Sequence, residues 1–199
     1  MANVSAPRGL SPVRYLSGAP YNGAANAYSV PAGDGTALFI GDLVKFVGTS
    51  QVIGDVTYLD VGRAATTDVV LGPVVAVDPL DGTGASGRDS TPYRAASTMR
   101  VLWIADDPNL LFEACEVTGG TPIPINDAGL NVSLTVASGN TSTGMSGSAI
   151  SNTTQATDSA LLLRLVSPVN RPDNTPGADA QKWLVRINRH AYVNQIAGV

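Results

Sequence analysis

Lysine and glutamate are nearly absent from this 199-residue sequence. Glutamate occurs only as Glu113 and Glu116, lysine only as Lys45 and Lys182, and charged residues of all types make up 14% of the chain. In an average soluble domain, charged residues make up roughly 25% of the chain. Because both residue types favour helices and cover their solvent-exposed faces, their scarcity argues against long solvated helices.

Cysteine is also scarce, with Cys115 as the single example. One cysteine forms neither an intrachain disulfide nor a cysteine metal cluster. Cys115 lies within the apolar run at residues 110–117. We therefore expect a buried small hydrophobic residue at this position and not a reactive thiol.

The sequence also lacks long apolar runs and an excess of positive charge. No run approaches the ~18 residues that suggest a membrane span, and the first residues lack the charged and apolar regions of a signal peptide. We therefore expect a soluble protein with no secretion signal of its own and no membrane partner. The net charge of −4 gives no broad positive field, so we expect no nucleic-acid partner either.

The abundant residues are those of strands and tight turns. The chain has 21 glycines and 13 prolines, which fix turn dihedrals, together with many β-branched residues that suit a pleated sheet. From Thr36 onward, short apolar runs alternate with turn signals. This pattern predicts an all-β fold, a single β-barrel or β-sandwich-like domain with long loops. The predicted strands are residues 37–40, 43–47, 52–59, 69–77, 99–104, 110–117, 131–137, 160–166 and 183–193.

The first 36 residues differ from the rest of the chain. They are rich in proline, glycine, alanine and asparagine, and show neither a helical nor a sustained strand period. We interpret residues 1–36 as an extended N-terminal arm and residues 37–199 as the β-rich core domain. A disordered tail, or a strand folded back on its own domain, is the alternative to an arm that reaches a neighbouring subunit.

Two sequence features invite an enzymatic interpretation, and neither fits well. The segment at residues 144–148 (GMSGS) resembles a nucleophile turn around Ser146, but the only histidine, His190, follows it, and no helical pattern comes after the serine. Asp106 and Asp107 precede Pro108, which indicates a turn and not a calcium loop. We therefore assign no catalytic residue, no metal ligand and no cofactor, and we expect that the chain is not an enzyme.

Arginine is the one charged residue type in relative excess, with ten against two lysines. Its planar guanidinium pairs with carboxylates and stacks on aromatic rings, so it is common at protein interfaces. Large aromatic and apolar side chains on the arm supply further anchors. The predicted partner-binding residues are Arg8, Leu10, Arg14, Tyr15, Tyr21, Tyr28, Arg88, Arg94 and Arg100.

Several short segments, in order along nearly the whole chain, carry a family resemblance. They are residues 1–3 with 6–14 (APRGLSPVR), 37–45 (ALFIGDLVK), 106–109 (DDPN) with 111–113, and 184–190 (LVRINRH) with 198–199. Together they resemble small head-associated proteins of tailed phages and prophages, which are similar to capsid decoration or cement proteins. The resemblance implies a β-rich fold and no catalysis. It also implies homo-oligomers, often trimers, seated where capsomers meet.

The resemblance therefore implies a structural virion protein on the outer surface of the capsid, made in the cytoplasm of the bacterial host. Its expected partners are the major capsid protein and other copies of itself. A tail, baseplate or head-fibre adaptor would share the same composition. A β-module that binds a receptor or glycan is a further alternative, although Tyr93, Trp103 and Trp183 are scattered along the sequence.

Overall fold

The computed structural model of the chain describes residues 3–79 and 90–193. Its strands are β1 (Ser11–Tyr15), β2 (Asn26–Val30), β3 (Leu43–Ile53), β4 (Val56–Arg63), β5 (Gly72–Val77), β6 (Arg100–Ile104), β7 (Leu110–Cys115), β8 (Asn131–Val132), β9 (Leu134–Thr135), β10 (Ala149–Ile150), β11 (Leu163–Pro168) and β12 (Lys182–Ile187). One short 3-10 helix spans Ile125–Asp127. The predicted all-β class is confirmed. None of the described residues form a helix of the length and apolarity needed to cross a membrane.

The strands form two main layers. One is an antiparallel five-stranded sheet in the order β1-β7-β12-β11-β8, and the other is a closed five-stranded barrel in the order β2-β4-β3-β5-β6. β9 and β10 pair separately as a two-stranded sheet. The arrangement agrees with the predicted barrel or sandwich-like architecture.

Two apolar clusters fill these layers. The barrel interior contains Val30, Val44 and Leu102. The second cluster is centred on the sheet, with Trp183 fully buried, and it also includes Leu43 from the barrel strand β3. Because Leu43 of the barrel strand β3 belongs to the sheet cluster, that cluster packs the sheet against the barrel.

The N-terminal segment differs from the predicted arm. β1 is the edge strand of the sheet and pairs with β7, with Ser11 opposite Glu113. β2 closes the barrel by pairing antiparallel with β6 over its whole length. The segment shows no sustained period because its two strands are only five residues long and are separated by turns and loops. Residues 1–36 therefore do not form a unit separate from the residues 37–199.

A close backbone crossing fixes this N-terminal segment against the barrel. Gly9 and Gly41 both have positive φ values, 67° and 95°. A Cβ atom on Gly9 would clash with the backbone of Gly41, and one on Gly41 would clash with the carbonyl of Arg8. The amide of Leu10 donates to the Gly41 carbonyl at 3.0 Å. Glycine is therefore required at both positions for these two segments of the backbone to approach each other.

Two predicted strands are divided in the structure. Residues 52–59 span a turn at Gly54 and Asp55, so they form the tip of the β3–β4 hairpin and not one strand. Residues 131–137 pair first with β11 and then, after Ser133, with β10. Apolar residues alternate at Val132, Leu134 and Val136, which predicts that they share one face; Val132 and Leu134 are buried, whereas Val136 is 39% exposed. No local signal marks the change of partner.

Candidate interaction surfaces

Four of the predicted partner-binding residues are buried inside this chain. They are Leu10, Tyr28, Arg94 and Arg100. Arg8 and Arg14 are exposed, and Tyr15 and Tyr21 are half-buried. Arg88 lies outside the described residues. Burial inside this chain argues against partner contacts by Leu10, Tyr28, Arg94 and Arg100, whereas partner binding by the other five residues stays a prediction.

Arg94 is a structural residue despite its charge. Its side chain is fully buried, and its guanidinium donates to the carbonyls of Thr98 at 2.7 Å, Thr36 at 2.6 Å and Pro31 at 2.8 Å. Burial lowers the pKa of Arg94, and the nearby Asp34 opposes this effect. The guanidinium therefore satisfies three carbonyls of the loops that flank the barrel.

Tyr28 and Arg100 also make hydrogen bonds inside the protein. The Tyr28 hydroxyl donates to Oδ2 of Asp106 at 2.6 Å, and Asn26 donates to the same carboxylate at 3.0 Å. Burial and the bond to Asp106 raise the pKa of Tyr28. Arg100 is buried and contacts Thr91 Oγ1 at 3.1 Å. Asp106 thus belongs to a network inside the protein.

Ser146 lies in a buried network with Asp42. Its Oγ donates to Oδ1 of Asp42 at 2.5 Å, and it accepts a bond from the amide of Ser148 at 3.1 Å. Arg63 lies 3.6 Å from the same carboxylate oxygen. Burial raises the pKa of Asp42, and the Ser146 bond and Arg63 oppose this effect.

His190 lies in a different network. It is buried, and its Nδ1 accepts a hydrogen bond from the amide of Tyr192 at 3.1 Å. Burial lowers the pKa of His190. Within residues 3–79 and 90–193, no hydrogen bond joins His190 to Ser146, and no group of three or more His, Cys, Asp or Glu side chains is placed to hold a metal ion.

A network of ion pairs holds the residues before β1 against the rest of the protein. Both oxygens of the buried Glu113 carboxylate are engaged: Oε1 by Arg8 at 3.0 Å and Oε2 by Arg171 at 2.8 Å. Arg171 continues to Asp173, which also pairs with Lys182 at 2.9 Å. These two cations hold the pKa of Asp173 at about 2. Arg8 is therefore engaged within the chain, although half of its side chain is exposed.

The first candidate surface lies on β1 and the turn that follows it. We call this surface the N-terminal face and define it by Val13, Arg14, Tyr15, Leu16 and Tyr21. Leu16 is 54% exposed, and its amide donates to the Asn109 carbonyl at 2.7 Å. The Tyr21 amide donates to the Val13 carbonyl at 3.0 Å, so the chain returns along the outer edge of β1.

An apolar groove continues this face onto the barrel. It is lined by Tyr21, Gly23, Ala25, Val75, Ala76 and Trp103. Trp103 is 40% exposed, whereas Trp183 is buried and Tyr93 stacks on Phe39 with ring centroids 4.8 Å apart. Of these aromatic residues, only Trp103 lies in the groove beside Tyr21. Tyr21 belongs to both the N-terminal face and the groove, so the two adjoin, and Leu16 and Trp103, respectively, are their most exposed large apolar side chains.

The second candidate surface is the β3–β4 hairpin, which the sequence patterns did not single out. Val52 is 69% exposed, Val56 51% and Leu59 52%. A shallow apolar depression at its base is lined by Phe46, Gly48, Thr49, Ser50 and Leu59. The available signal was the pair Gly54-Asp55 between two runs of β-branched residues, which is typical of a two-residue hairpin turn.

The described residues define an all-β protein that joins a closed five-stranded barrel to a five-stranded antiparallel sheet. Comparison with protein-family models, with curated proteins and with solved structures finds no match for the chain. We therefore infer its function from its own surfaces and buried networks, together with the sequence resemblance.

Proposed function

We propose that this chain is a structural virion protein, a decoration or cement protein that binds the outer surface of a tailed-phage head. Its partners are the major capsid protein and other copies of itself, in a homo-oligomer such as a trimer. It binds where capsomers meet and stabilises the expanded capsid. It is made in the host cytoplasm and catalyses no reaction.

The observation that carries this proposal is the apolar surface formed by the N-terminal face and the adjoining groove. Leu16 and Trp103 are large apolar side chains that remain substantially exposed on rigid strands and a hydrogen-bonded turn. Contiguous exposed apolar surface of this kind is typical of protein interaction sites. Arg14 adds a group that pairs with carboxylates on a partner.

The placement of the polar residues also supports a structural role. Ser146 and His190 are the groups that a hydrolase would use, yet each is buried and engaged in a separate network. A nucleophile and its base must lie within hydrogen-bond reach of each other. Asp106 is likewise engaged by Tyr28 and Asn26.

The proposed mechanism is a difference in affinity between two capsid states. A protein that binds the expanded lattice more tightly than the immature lattice stabilises the expanded lattice by mass action. Each copy contributes a modest contact, and an oligomer that contacts several capsomers gains avidity. The N-terminal face suits this role because strand pairing and backbone hydrogen bonds already order it, so little order has to be gained on binding.

Cosedimentation with expanded and immature heads of the phage that carries the sequence tests the proposal. We expect saturable binding to expanded heads, weaker binding to immature heads, and at least a tenfold loss of affinity for Leu16→Asp. Ile125→Asp is the matched control because Ile125 is 52% exposed but lies on the short helix, away from this surface. Equal binding of the chain to both head forms, or none to either, contradicts the proposal. Undiminished binding of the Leu16 variant removes the N-terminal face from it.

A further inference from the structure

The turn that follows β1 contains the one Asn-Gly pair of the sequence, at Asn22 and Gly23. Both residues are exposed, and the turn borders the apolar groove, since Tyr21 and Gly23 line it. In such a pair the backbone nitrogen of glycine can attack the side-chain carbonyl carbon of asparagine, because glycine has no Cβ atom to obstruct the approach. Asn22 is therefore the asparagine of this chain whose side chain meets the least steric resistance to reaction with the backbone.

Two hydrogen bonds polarise the side-chain carbonyl of Asn22. Its Oδ1 accepts from the backbone amide of Ala24 at 3.1 Å and from the Tyr15 hydroxyl at 3.2 Å. The bond to Ala24 folds the side chain back over the intervening peptide of Gly23. Negative charge develops on Oδ1 when the carbonyl carbon is attacked, so two donors on that oxygen stabilise the transition state as an oxyanion hole does.

Both donors are held in place by the turn. The Tyr15 amide donates to the Ala19 carbonyl at 2.8 Å, and Tyr15 belongs to β1, which pairs with β7. The Tyr21 hydroxyl donates to the Ala24 carbonyl at 2.9 Å. The donors are therefore already oriented before the reaction begins, which is the condition for electrostatic stabilisation at low cost.

The attacking and leaving groups make no competing contacts. In the part of the chain that the structure describes, no hydrogen bond involves the Gly23 amide or Nδ2 of Asn22. Gly23 has a φ of 85°, and a Cβ atom there would meet open space, so water reaches the site. Asn26 differs, because its Nδ2 donates to both oxygens of Asp106 at 3.0 Å.

From these observations we infer that Asn22 is a site of spontaneous deamidation, in which Tyr15 and Ala24 donate to the reacting carbonyl. Solvent base removes the proton of the Gly23 amide, and the nitrogen forms a bond to Cγ of Asn22. The bond from Cγ to Nδ2 breaks, and ammonia leaves with a proton from water. A second water opens the succinimide ring at either carbonyl and gives aspartate or isoaspartate. The net reaction consumes one water and releases one ammonia.

Peptide mapping by mass spectrometry, during incubation of the purified full chain in mildly alkaline buffer, measures the reaction. Asn140 is the matched control: it is exposed, and its Oδ1 accepts the amides of Ser142 at 2.8 Å and Thr143 at 3.1 Å, but Thr141 follows it. We expect aspartate and isoaspartate to accumulate at Asn22 at least tenfold faster than at Asn140. Equal persistence of the two asparagines overturns the inference.

Removal of the donors separates the structure from the sequence pair. Tyr15→Phe keeps the ring and should slow the reaction about 2- to 10-fold, the equivalent of one neutral hydrogen bond. A purely structural role for Tyr15 gives the opposite result, because a looser turn lets the side chain reach the backbone more freely. The wild-type chain unfolded in urea loses both donors and should also react more slowly than the folded chain. An unchanged or faster reaction in either case overturns the role of the donors.

Deamidation also adds a negative charge beside the apolar groove, and an unpaired charge is costly to bury against a partner. A weaker contact with the capsid therefore follows, and this consequence rests on the proposed function. In cosedimentation with expanded heads, Asn22→Asp should bind less tightly than Asn22→Gln, and equal affinities would contradict this consequence. If the wild type binds no heads, the capsid proposal fails and the deamidation, measured by mass, stands. If it binds heads and Asn22 does not react, the inference fails and the capsid proposal stands.

Discussion

Ser146 donates a hydrogen bond of 2.5 Å from its Oγ to the buried carboxylate of Asp42, a residue 104 positions earlier in the chain. The bond connects the loop at residues 138–148 to the start of the barrel strand β3. Asp42 also accepts the Phe39 amide at 3.0 Å. The serine that resembles a nucleophile in sequence therefore satisfies a buried carboxylate that links two parts of the fold.

Replacing Ser146 tests this structural role. Ser146→Ala removes a donor to a buried carboxylate, which costs about 1–3 kcal/mol. We expect the free energy of unfolding in urea to fall by this amount. Ser142→Ala, in the exposed part of the same loop, should change it by less than about 0.5 kcal/mol. Equal stabilities for the two variants would remove the Asp42 link from the account.

The buried His190 makes stability depend on pH. Burial lowers its pKa in the folded protein below the unfolded value of 6.5, an effect reinforced by Arg186 and opposed by Asp106 and Asp107. Between the two pKa values the unfolded chain binds more protons than the folded one, so stability is full above about pH 7 and falls as the pH drops below 6.5.

Urea unfolding between pH 7.5 and 5 measures this dependence. His190→Asn removes the titrating group and leaves an acceptor near the Tyr192 amide. We expect the variant to show a flatter dependence of stability on pH over this window, whatever its absolute stability. Curves of the same slope for variant and wild type would assign the pH dependence to other groups.

Arg94 and Arg14 provide a matched pair of arginines with opposite roles. Arg94→Lys keeps the charge but loses the planar fork that satisfies three carbonyls, so we expect a loss of about 2–4 kcal/mol in stability. Arg14→Lys lies on the exposed N-terminal face and should leave stability unchanged. Circular dichroism melts and head cosedimentation separate the two. Reduced binding by a stably folded Arg94 variant would instead indicate that Arg94 contacts the capsid.

Substitutions at Gly41 and Gly18 distinguish two reasons for glycine: the space available for a Cβ atom and the positive φ. Both have φ near 95°, but a Cβ on Gly41 meets the backbone of Arg8, whereas one on Gly18 meets open space. Gly18→Ala should cost about 1–2 kcal/mol, the usual strain of a left-handed conformation. Gly41→Ala should cost clearly more and loosen the contact with Leu10. Thermal melts of the two variants compare these costs directly, and equal losses would contradict the close crossing.

Local sequence patterns predict strands in the interior of the five-stranded sheet. β7 falls within the predicted run at residues 110–117, and β12 (Lys182–Ile187) overlaps the first half of the predicted run at residues 183–193, because their apolar residues are contiguous or alternate. The predicted run continues six residues beyond the end of β12. The all-β class follows from the same residues and from the shortage of helix formers. These features depend on short-range periodicity, so they can be read without knowing the partners of each strand.

Long-range pairing accounts for what the patterns missed. β1 (SPVRY) contains a proline and β2 (NAYSV) contains asparagine and small residues, and their strand structure depends on pairing with β7 and β6, far away in sequence. Arg94 and Arg100 are buried because loop carbonyls and polar side chains gather around them, which no composition rule anticipates. The exposed hairpin was also not predicted, because the predicted strand at residues 52–59 contains its turn at Gly54 and Asp55.

Because β1 and β2 belong to the sheet and the barrel, a deletion of the N-terminal segment is a poor test of the capsid proposal. Deleting residues 2–30 would remove a sheet strand and a barrel strand, so a loss of binding would report unfolding. Point changes on the N-terminal face, such as Leu16→Asp, keep both strands and isolate the contact itself.

Electron cryomicroscopy of the virion tests the central claim most directly. The account predicts density outside the expanded shell, at the junctions between capsomers, into which the barrel and the sheet fit with the N-terminal face toward the capsid protein. Density for this chain in the tail or baseplate, or a mature head that contains none of it, would contradict the account.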